Sequence, residues 1–313
     1  MVALNWQQRV GNQRDWVWRG WQTRYIYVRP RSQQMHCTLA RPFLLLHGFG
    51  ASVGHWRHTL EGLGIQHPVY AFDLLGFGAS EKGASDYGVA FWVEQVYVFW
   101  QTFIGQPVVL VGNSTGSLVS LAVSALHPDM VAGIVALNLP DPTVREEAIP
   151  GFLRPAIAFL ESIFASPLLL KPLFYWVRQP NIVRSWAKIA YANPDAVTDE
   201  LVEILSQPAY DRGAAQAFCR ILKAMTQPCF APSVKGVLPQ LSIPILLIWG
   251  KQDRMVPPKF APQFASYNSR VTLIELENAG HCPHDECPEQ VNRLILEWIE
   301  TWKIERSNNG AVG

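Results

Sequence analysis

The pentapeptide GNSTG at residues 112–116 constrains the fold more than any other part of the sequence. It directly follows a short apolar run, Val108–Val111, and it opens a segment from Ser117 onward that favours a helix. A buried strand that turns so sharply into a helix is typical of a parallel sheet covered by helices. The two glycines permit this turn, because larger side chains on either side of the central serine would collide with it.

Short apolar runs of this kind alternate with predicted helices along most of the chain. They have the length and continuous apolarity of strands that are buried on both faces, and they comprise Phe43–Leu46, Val69–Phe72, Val108–Val111, Ile134–Leu137, Ile245–Trp249 and Val271–Leu276. Two earlier aromatic runs, Trp16–Trp18 and Tyr25–Val28, predict an antiparallel pair. The pattern therefore predicts an α/β fold with a mostly parallel sheet flanked by helices.

The alternation lapses between residues 143 and 239, where prolines recur and strand-like runs are missing. Short helices are predicted there at Ala156–Phe164, Leu168–Trp176, Ile182–Tyr191 and Asp199–Leu205. We predict that residues 143–239 form a helical cap subdomain, inserted into a core made of residues 1–142 and 240–313. Large apolar side chains of the cap are expected to line a substrate pocket, among them Phe152, Phe174 and Trp176.

Composition excludes several classes of protein. Hydrophobic residues make up 49% of the chain and charged residues 16%, which indicates a globular protein. The net charge of +1 gives no basic field for a nucleic-acid partner. The five cysteines form no C-x-x-C pair, which favours a reducing, cytoplasmic location.

The sequence predicts no membrane-spanning segment. The first residues lack the apolar core of a signal peptide. No charged residue occurs from Gln95 to Pro128, but the turn residues within that stretch divide it, so we predict buried core and no transmembrane helix. The high aromatic content still allows peripheral contact with a membrane surface. The oligomeric state is left open.

Three residues suited to nucleophilic catalysis follow predicted strands. A serine hydroxyl needs a base to take its proton, and the base needs a carboxylate to orient it. Ser114, Asp253 and His281 occur in the chain order serine, acid, histidine, each just after a buried run. The carboxyl ends of parallel strands meet at one sheet edge, so these residues are predicted to form a catalytic triad. Asp141 is the competing acid.

The oxyanion that forms during such chemistry needs backbone N–H donors. The residue after the serine, Thr115, is expected to supply one donor, and Phe49 in the early loop HGFG is expected to supply the other. His47 in that loop is assigned a structural role, and Asp73 is expected to brace neighbouring turns. We predict no metal and no cofactor.

These motifs resemble the α/β-hydrolase superfamily, which implies an eight-stranded sheet with a helical cap inserted after strand 6. A narrower resemblance spans residues 16–298 and is similar to the pheophytinase and chlorophyll dephytylase family of plastids and cyanobacteria. Its distinctive residues are Trp16-Val17-Trp18 with Gly20, Gly112-Asn113-Ser114, Gln179-Pro180-Asn181, Tyr191-Ala192-Asn193-Pro194, Gly280 through Glu286, Pro288-Glu289 and Val291-Asn292. The resemblance implies hydrolysis of the phytyl ester of pheophytin or chlorophyll, and a location beside the thylakoid membrane. An apolar cap over a serine triad independently favours a large apolar ester.

Other readings remain open. Hydrolases that cleave carbon–carbon bonds of meta-cleavage products share the Gly-Asn-Ser motif, and their acidic substrates would need a cation such as Arg154, Arg178 or Arg184. A lipase or an esterase of other specificity is a further alternative. A non-catalytic relative is disfavoured because binding alone does not require all three triad groups. A metal site at His281, Cys282, His284 and Cys287 is disfavoured by their crowded spacing.

Overall fold

A computed structural model describes residues 5–11, 13–30, 40–143 and 166–309. Within these residues eight strands form one sheet in the order β1-β2-β4-β3-β5-β6-β7-β8. The strands are β1 (Gln13–Trp18), β2 (Trp21–Val28), β3 (Phe43–Leu46), β4 (Val69–Phe72), β5 (Val108–Asn113), β6 (Val131–Leu137), β7 (Ile245–Gly250) and β8 (Val271–Leu276). The pairs β1–β2 and β2–β4 are antiparallel, and the other pairs are parallel. The prediction of a mostly parallel α/β sheet is confirmed.

Helices cover the sheet and fill the connection between β6 and β7. Those in the described residues are α1 (Trp6–Val10), α2 (Arg57–Leu63), α3 (Val89–Phe103), α4 (Thr115–Leu126), α5 (Pro167–Val177), α6 (Pro180–Ala190), α7 (Asp199–Ser206), α8 (Ala214–Met225), α9 (Val234–Val237), α10 (Phe260–Ala265), α11 (Pro283–Glu286) and α12 (Pro288–Asn309). None of these helices is long and apolar enough to cross a bilayer.

The core lies on both faces of the sheet. Successive side chains of a strand point to opposite faces, so Leu44 and Leu46 pack in the cluster that contains α3 and α4. Phe43 and Leu45 pack in the other cluster, with α2 and α12. Every residue of β3 and β5 is buried, which explains why their sequences are continuously apolar and do not alternate.

The N-terminal hairpin closes one edge of the sheet. Its two-residue turn has positive φ at both positions, 51° at Arg19 and 84° at Gly20, as the twist of a tight hairpin requires. Trp16 packs edge-on against Phe99 of α3, with ring centroids 5.7 Å apart. β1 begins at Gln13, three residues before the predicted start, because strand pairing with β2 continues into polar residues.

The connection between β6 and β7 is helical in its described part. The segments predicted at 168–176, 182–191 and 199–205 correspond to α5, α6 and α7. The end of α6 differs by one residue, since Tyr191 has an extended backbone. The first predicted helix, Ala156–Phe164, lies outside the described residues. The division into a core and a cap at residues 143 and 239 stays a prediction.

Candidate active site

Ser114 lies at the sharp turn between β5 and α4. Its backbone has φ 53° and ψ −117°, and a non-glycine residue holds such a positive φ only where its surroundings fix it. The turn is fixed by hydrogen bonds, since Ser114 N–H donates to the carbonyl of Leu137 at 3.0 Å and Ser117 Oγ donates to that of Gly112 at 2.7 Å. The backbone of Ser114 is thereby held in a strained conformation at the carboxyl end of β5.

The two flanking glycines allow the backbones to approach closely. A Cβ atom built on Gly116 would lie 1.9 Å from the carbonyl oxygen of Leu46, and one on Gly112 would lie 2.4 Å from Gly116. These contacts involve backbone atoms, which cannot move aside as a flexible side chain would. The tight turn therefore depends on both glycines.

His281 and Asp253 are hydrogen-bonded. His281 Nδ1 lies 2.8 Å from Asp253 Oδ2, and the aspartate side chain is fully buried. Asp253 Oδ1 also accepts from the backbone N–H groups of Met255 and Val256, at 2.7 and 2.9 Å. A carboxylate at Nδ1 favours a proton on that nitrogen, which leaves Nε2 free to accept one.

Asp141, the competing acid, has other partners. Its Oδ1 accepts from the backbone N–H and the hydroxyl of Thr143, at 3.0 and 2.7 Å. Its Oδ2 accepts from the backbone N–H of Val234, the first residue of α9, at 3.1 Å. Of the two candidate acids, the structure brings Asp253 to His281, while Asp141 ties together two segments of backbone.

Two asparagines that the sequence analysis did not assign hold this arrangement. Asn138 directly follows β6 with φ 48°, and its Nδ2 donates to Asp253 Oδ2 at 2.6 Å and to the carbonyl of Gly280 at 3.2 Å. Asn113 Nδ2 donates to the carbonyl of His281 at 3.0 Å. Their positions in the sequence could have indicated this role, because each asparagine ends or follows a strand at the same sheet edge as Ser114, Asp253 and His281.

The histidine loop is also attached to the helices inserted between β6 and β7. His281 N–H donates to the carbonyl of Ala190, the last residue of α6, at 2.7 Å. The neighbouring Tyr191 hydroxyl donates to Asp285 Oδ2 at 2.7 Å and lies 2.8 Å from His55 Nε2. Burial, with the Asp285 carboxylate nearby, raises the pKa of Tyr191 well above its ordinary value, so the phenol stays protonated and remains a donor.

The loop that contains Phe49 lies beside Ser114. A Cβ atom built on Gly48 would be 3.4 Å from Ser114 Cβ, so this loop and the serine turn are in contact. His47 has a structural position, since its Nδ1 lies 2.8 Å from the carbonyl of Gly48 and its Nε2 accepts from the N–H of Leu74. Thr115 is the first residue of α4, where backbone N–H groups have no partner within the helix.

Aromatic rings connect this loop to the inserted helices. The Phe49 ring lies 6.3 Å from that of Phe218 on α8, and Phe218 lies 5.1 Å from Phe174 on α5. Phe174 is buried, whereas Trp176 is 55% exposed. Phe152 lies outside the described residues. Phe174 is thus the predicted pocket residue that the structure connects to the serine turn.

Two of the candidate cations, Arg178 and Arg184, have partners of their own. The guanidinium of Arg178 lies over the rings of Tyr175 and Tyr210, at 4.6 and 4.4 Å, and Arg184 pairs with Asp199. Arg154 lies outside the described residues. The ring of His284 lies 4.1 Å from that of Trp56. In the part of the chain that is described, no three His, Cys, Asp or Glu side chains converge as metal ligands.

Sequence comparison identifies the family. The profile of the alpha/beta hydrolase family matches residues 43–294, and the chain belongs to this family. It is 28% identical over 299 residues to the chloroplastic pheophytinase of Arabidopsis thaliana, and the match covers 82% of this chain. The chain spans 60% of the length of that relative.

Structure comparison gives the same fold. An esterase from Thermogutta terrifontis superimposes with a TM-score of 0.70 at 19% identity, covering 93% of this chain and 99% of the other. A meta-cleavage product hydrolase from Pseudomonas fluorescens superimposes with a TM-score of 0.68 at 20% identity, covering 90% and 95%. At these identities the likeness shows the fold alone. Family membership and the structural likeness agree that the fold is the α/β-hydrolase fold.

Buried histidines around the site give a prediction for stability. Burial lowers the pKa of His47 and of His55 from 6.5 to about 4, and that of His284 well below 6.5. Below about pH 6.5 the unfolded chain binds protons at these histidines while the folded protein does not. The free energy of unfolding should therefore fall as the pH drops from about 6.5 to 4, by up to about 1.4 kcal/mol per pH unit for each histidine.

One buried acid acts in the opposite sense. Burial raises the pKa of Asp73 from 3.8 to about 6, so its folded form binds a proton first and gains stability as the pH falls through 6. Three histidines outweigh this single carboxyl. Urea unfolding between about pH 7 and about pH 4.5 measures the slope, and His47→Gln should reduce it by about one half, since Asp73 already offsets one of the three histidines. An unchanged slope in this variant would contradict the assignment.

Proposed function

We propose that this chain is a serine hydrolase of carboxylic esters, with Ser114, His281 and Asp253 as its catalytic triad. The observation that carries the proposal is the pairing of His281 Nδ1 with the buried Asp253 carboxylate, at the sheet edge where Ser114 has its strained backbone. A binding protein would gain nothing from a buried carboxylate that orients an imidazole. For a base that must take a proton from a hydroxyl, this orientation is required.

The reaction follows from the roles of these groups. Ser114 Oγ attacks the ester carbonyl carbon while His281 Nε2 takes the hydroxyl proton, and the backbone N–H groups of Phe49 and Thr115 donate to the developing oxyanion. The tetrahedral intermediate then expels the alcohol, which receives the proton from His281. Water attacks the acyl-enzyme by the same steps and releases the acid. Asp253 stays ionised and stabilises the imidazolium.

We propose a large apolar ester as the substrate, and the phytyl ester of a chlorin as the specific compound. The aromatic side chains of Phe49, Phe218 and Phe174 give a continuous apolar path from the serine turn to the inserted helices. The similarity to pheophytinase points to the same class of ester. Acidic carbon–carbon cleavage substrates are less well supported, because Arg178 and Arg184 already have partners.

Relative kcat/KM values test the substrate assignment. Contacts with the long alcohol and the planar ring should help to position the carbonyl, and each buried CH₂ contributes up to about 0.8 kcal/mol. The kcat/KM for pheophytin and chlorophyll should therefore be tens- to thousands-fold higher than the kcat/KM for the corresponding methyl ester and for nitrophenyl acetate. Equal values would contradict the proposal, and preference for a ring-fission dienoic acid would replace it with carbon–carbon bond hydrolysis.

A pocket variant sharpens this test. Phe174→Ala should narrow the preference for the phytyl ester while leaving acetate hydrolysis nearly unchanged, because the triad lies on the core strands and their loops. Phe260→Ala is the matched control, since Phe260 begins α10 and packs on Phe264, away from the inserted helices. If both variants lost the preference for the phytyl ester equally, the assignment of Phe174 to the substrate pocket would be contradicted.

A further inference from the structure

The helix α5 exposes a stripe of apolar side chains. Leu168, Leu169, Leu173 and Trp176 occupy positions i, i+1, i+5 and i+8, which lie on one side of a helix. Leu168 is 85% exposed. The opposite side of α5 is buried through Leu170 and Phe174. The exposed stripe is therefore additional to the face that packs the helix onto the protein.

The next helix, α6, has a second exposed stripe. Trp186 is 51% exposed and Ile189 is also exposed, while Ala187 between them is buried. Isolated exposed apolar residues are ordinary on a protein surface. Stripes on two consecutive helices, each including a tryptophan, are the pattern of a surface that contacts another apolar phase.

The charge of this segment indicates the partner. Residues 166–191 include Lys171, Arg178, Arg184 and Lys188 but no Asp or Glu, although the chain has 25 acids in total. Arg184 pairs with Asp199 of α7. Lys171 and Lys188 are exposed, and no salt bridge joins either one to another described residue. The two helices thus combine exposed tryptophan and leucine with the exposed positive charges of Lys171 and Lys188.

We infer that α5 and α6 dock the protein on the surface of a membrane that contains anionic lipids. The leucine and tryptophan side chains enter the boundary between headgroups and acyl chains, and the lysines bind the headgroups. A second copy of this chain fits less well, because a two-fold contact would bring the same positive segment against itself. The inference deepens the proposed function, since a membrane is where a long-chain apolar ester resides, but docking is measurable without hydrolysis.

Vesicle sedimentation of the full chain tests the inference. We compare vesicles of phosphatidylcholine with vesicles that also contain about 30 mol% phosphatidylglycerol. Binding should be tighter to the anionic vesicles and should weaken as salt is added. Equal binding to both, or no binding to either, would overturn the inference.

Matched variants locate the surface. Leu168→Ser combined with Trp186→Ser should weaken vesicle binding by at least about tenfold, whereas Leu126→Ser, at an equally large exposed leucine on α4, should not. Lys171→Glu with Lys188→Glu should weaken binding by at least about 30-fold, at roughly fivefold or more for each lysine. Lys235→Glu with Lys259→Glu is the charge control, as both lysines are exposed outside α5 and α6. Far-ultraviolet circular dichroism checks that each variant is folded.

The outcomes separate docking from catalysis. Each variant should hydrolyse nitrophenyl acetate in solution at the wild-type rate, and Ser114→Ala should bind vesicles as the wild type does. Loss of vesicle binding in the control variants as well would overturn the assignment to α5 and α6. A concentration-dependent dimer that Leu168→Ser dissociates would assign the stripe to a second copy. Vesicle binding by a protein that hydrolyses no ester would leave docking intact and refute the proposed function.

Discussion

Ser114→Ala is expected to lower kcat by about 10⁶-fold while the affinity for substrate changes little. The substitution removes one heavy atom, the hydroxyl oxygen Oγ. This oxygen forms the bond to the acyl group in the proposed reaction. The strained turn is held by backbone groups and by the Ser117 hydroxyl, so alanine should keep its geometry. Steady-state hydrolysis of a nitrophenyl ester gives kcat, and quenching of tryptophan fluorescence by a chlorin ester gives the affinity.

A double variant tests whether the triad works as a unit. His281→Ala alone should cost nearly as much as Ser114→Ala, and adding it to Ser114→Ala should cost little more. Ser120→Ala is a suitable control, because Ser120 lies on the same helix and its hydroxyl donates to the carbonyl of Gly116. A large further loss in the double variant would show that His281 acts independently of the serine.

The strands could be predicted from the sequence because they are buried on both faces. The run Phe43–Leu46 has no polar residue, and each of its side chains is buried, so composition alone marks it. The start of β6 was predicted three residues late, at Ile134, since Gly133 interrupts the apolar run. Gly133 nonetheless belongs to the sheet, because it pairs with Val109 of β5. This pairing depends on the neighbouring strand and is not visible in the local sequence.

The positions of Asp253 and His281 could also be predicted, because each follows a buried parallel strand. The other contacts that hold these two loops in place could not. Asn138 contacts Asp253 across 115 residues of sequence, and Tyr191 contacts Asp285 across 94. Such contacts depend on how loops pack at the sheet edge, which no local pattern records.

Phe174 and Trp176 on α5 are both predicted as substrate-pocket residues because they are large and apolar. Their positions on the helix place them on different sides of it. Phe174 lies four residues after Leu170, on the buried side, whereas Trp176 shares the exposed stripe with Leu168. Counting 3.6 residues per turn distinguishes the two stripes. The helical period does not show which stripe faces the protein, because every residue in both stripes is apolar. Packing against the neighbouring helices determines which stripe is buried.

Asp253→Asn is expected to lower kcat by about 10⁴-fold, the effect that this change has in a serine triad. The carboxylate accepts from His281 Nδ1, and an amide that presents its NH₂ there would favour the proton on Nε2. A histidine protonated at Nε2 cannot take the serine proton. Asn138 Nδ2 also donates to this carboxylate oxygen. An NH₂ group in its place cannot accept, so Asn138 would lose its hydrogen-bond acceptor. The kcat for a nitrophenyl ester measures the loss, and urea unfolding checks stability.

Asp141→Asn provides the decisive comparison. Among the described residues, the Asp141 carboxylate accepts from Thr143 and from the backbone N–H of Val234, so the amide variant should lose stability at the start of α9 and keep nearly wild-type kcat. Should Asp141→Asn abolish activity while Asp253→Asn retains it, the catalytic acid would be the one after β6. The 2.8 Å contact of Asp253 with His281 would then serve only the packing of the histidine loop.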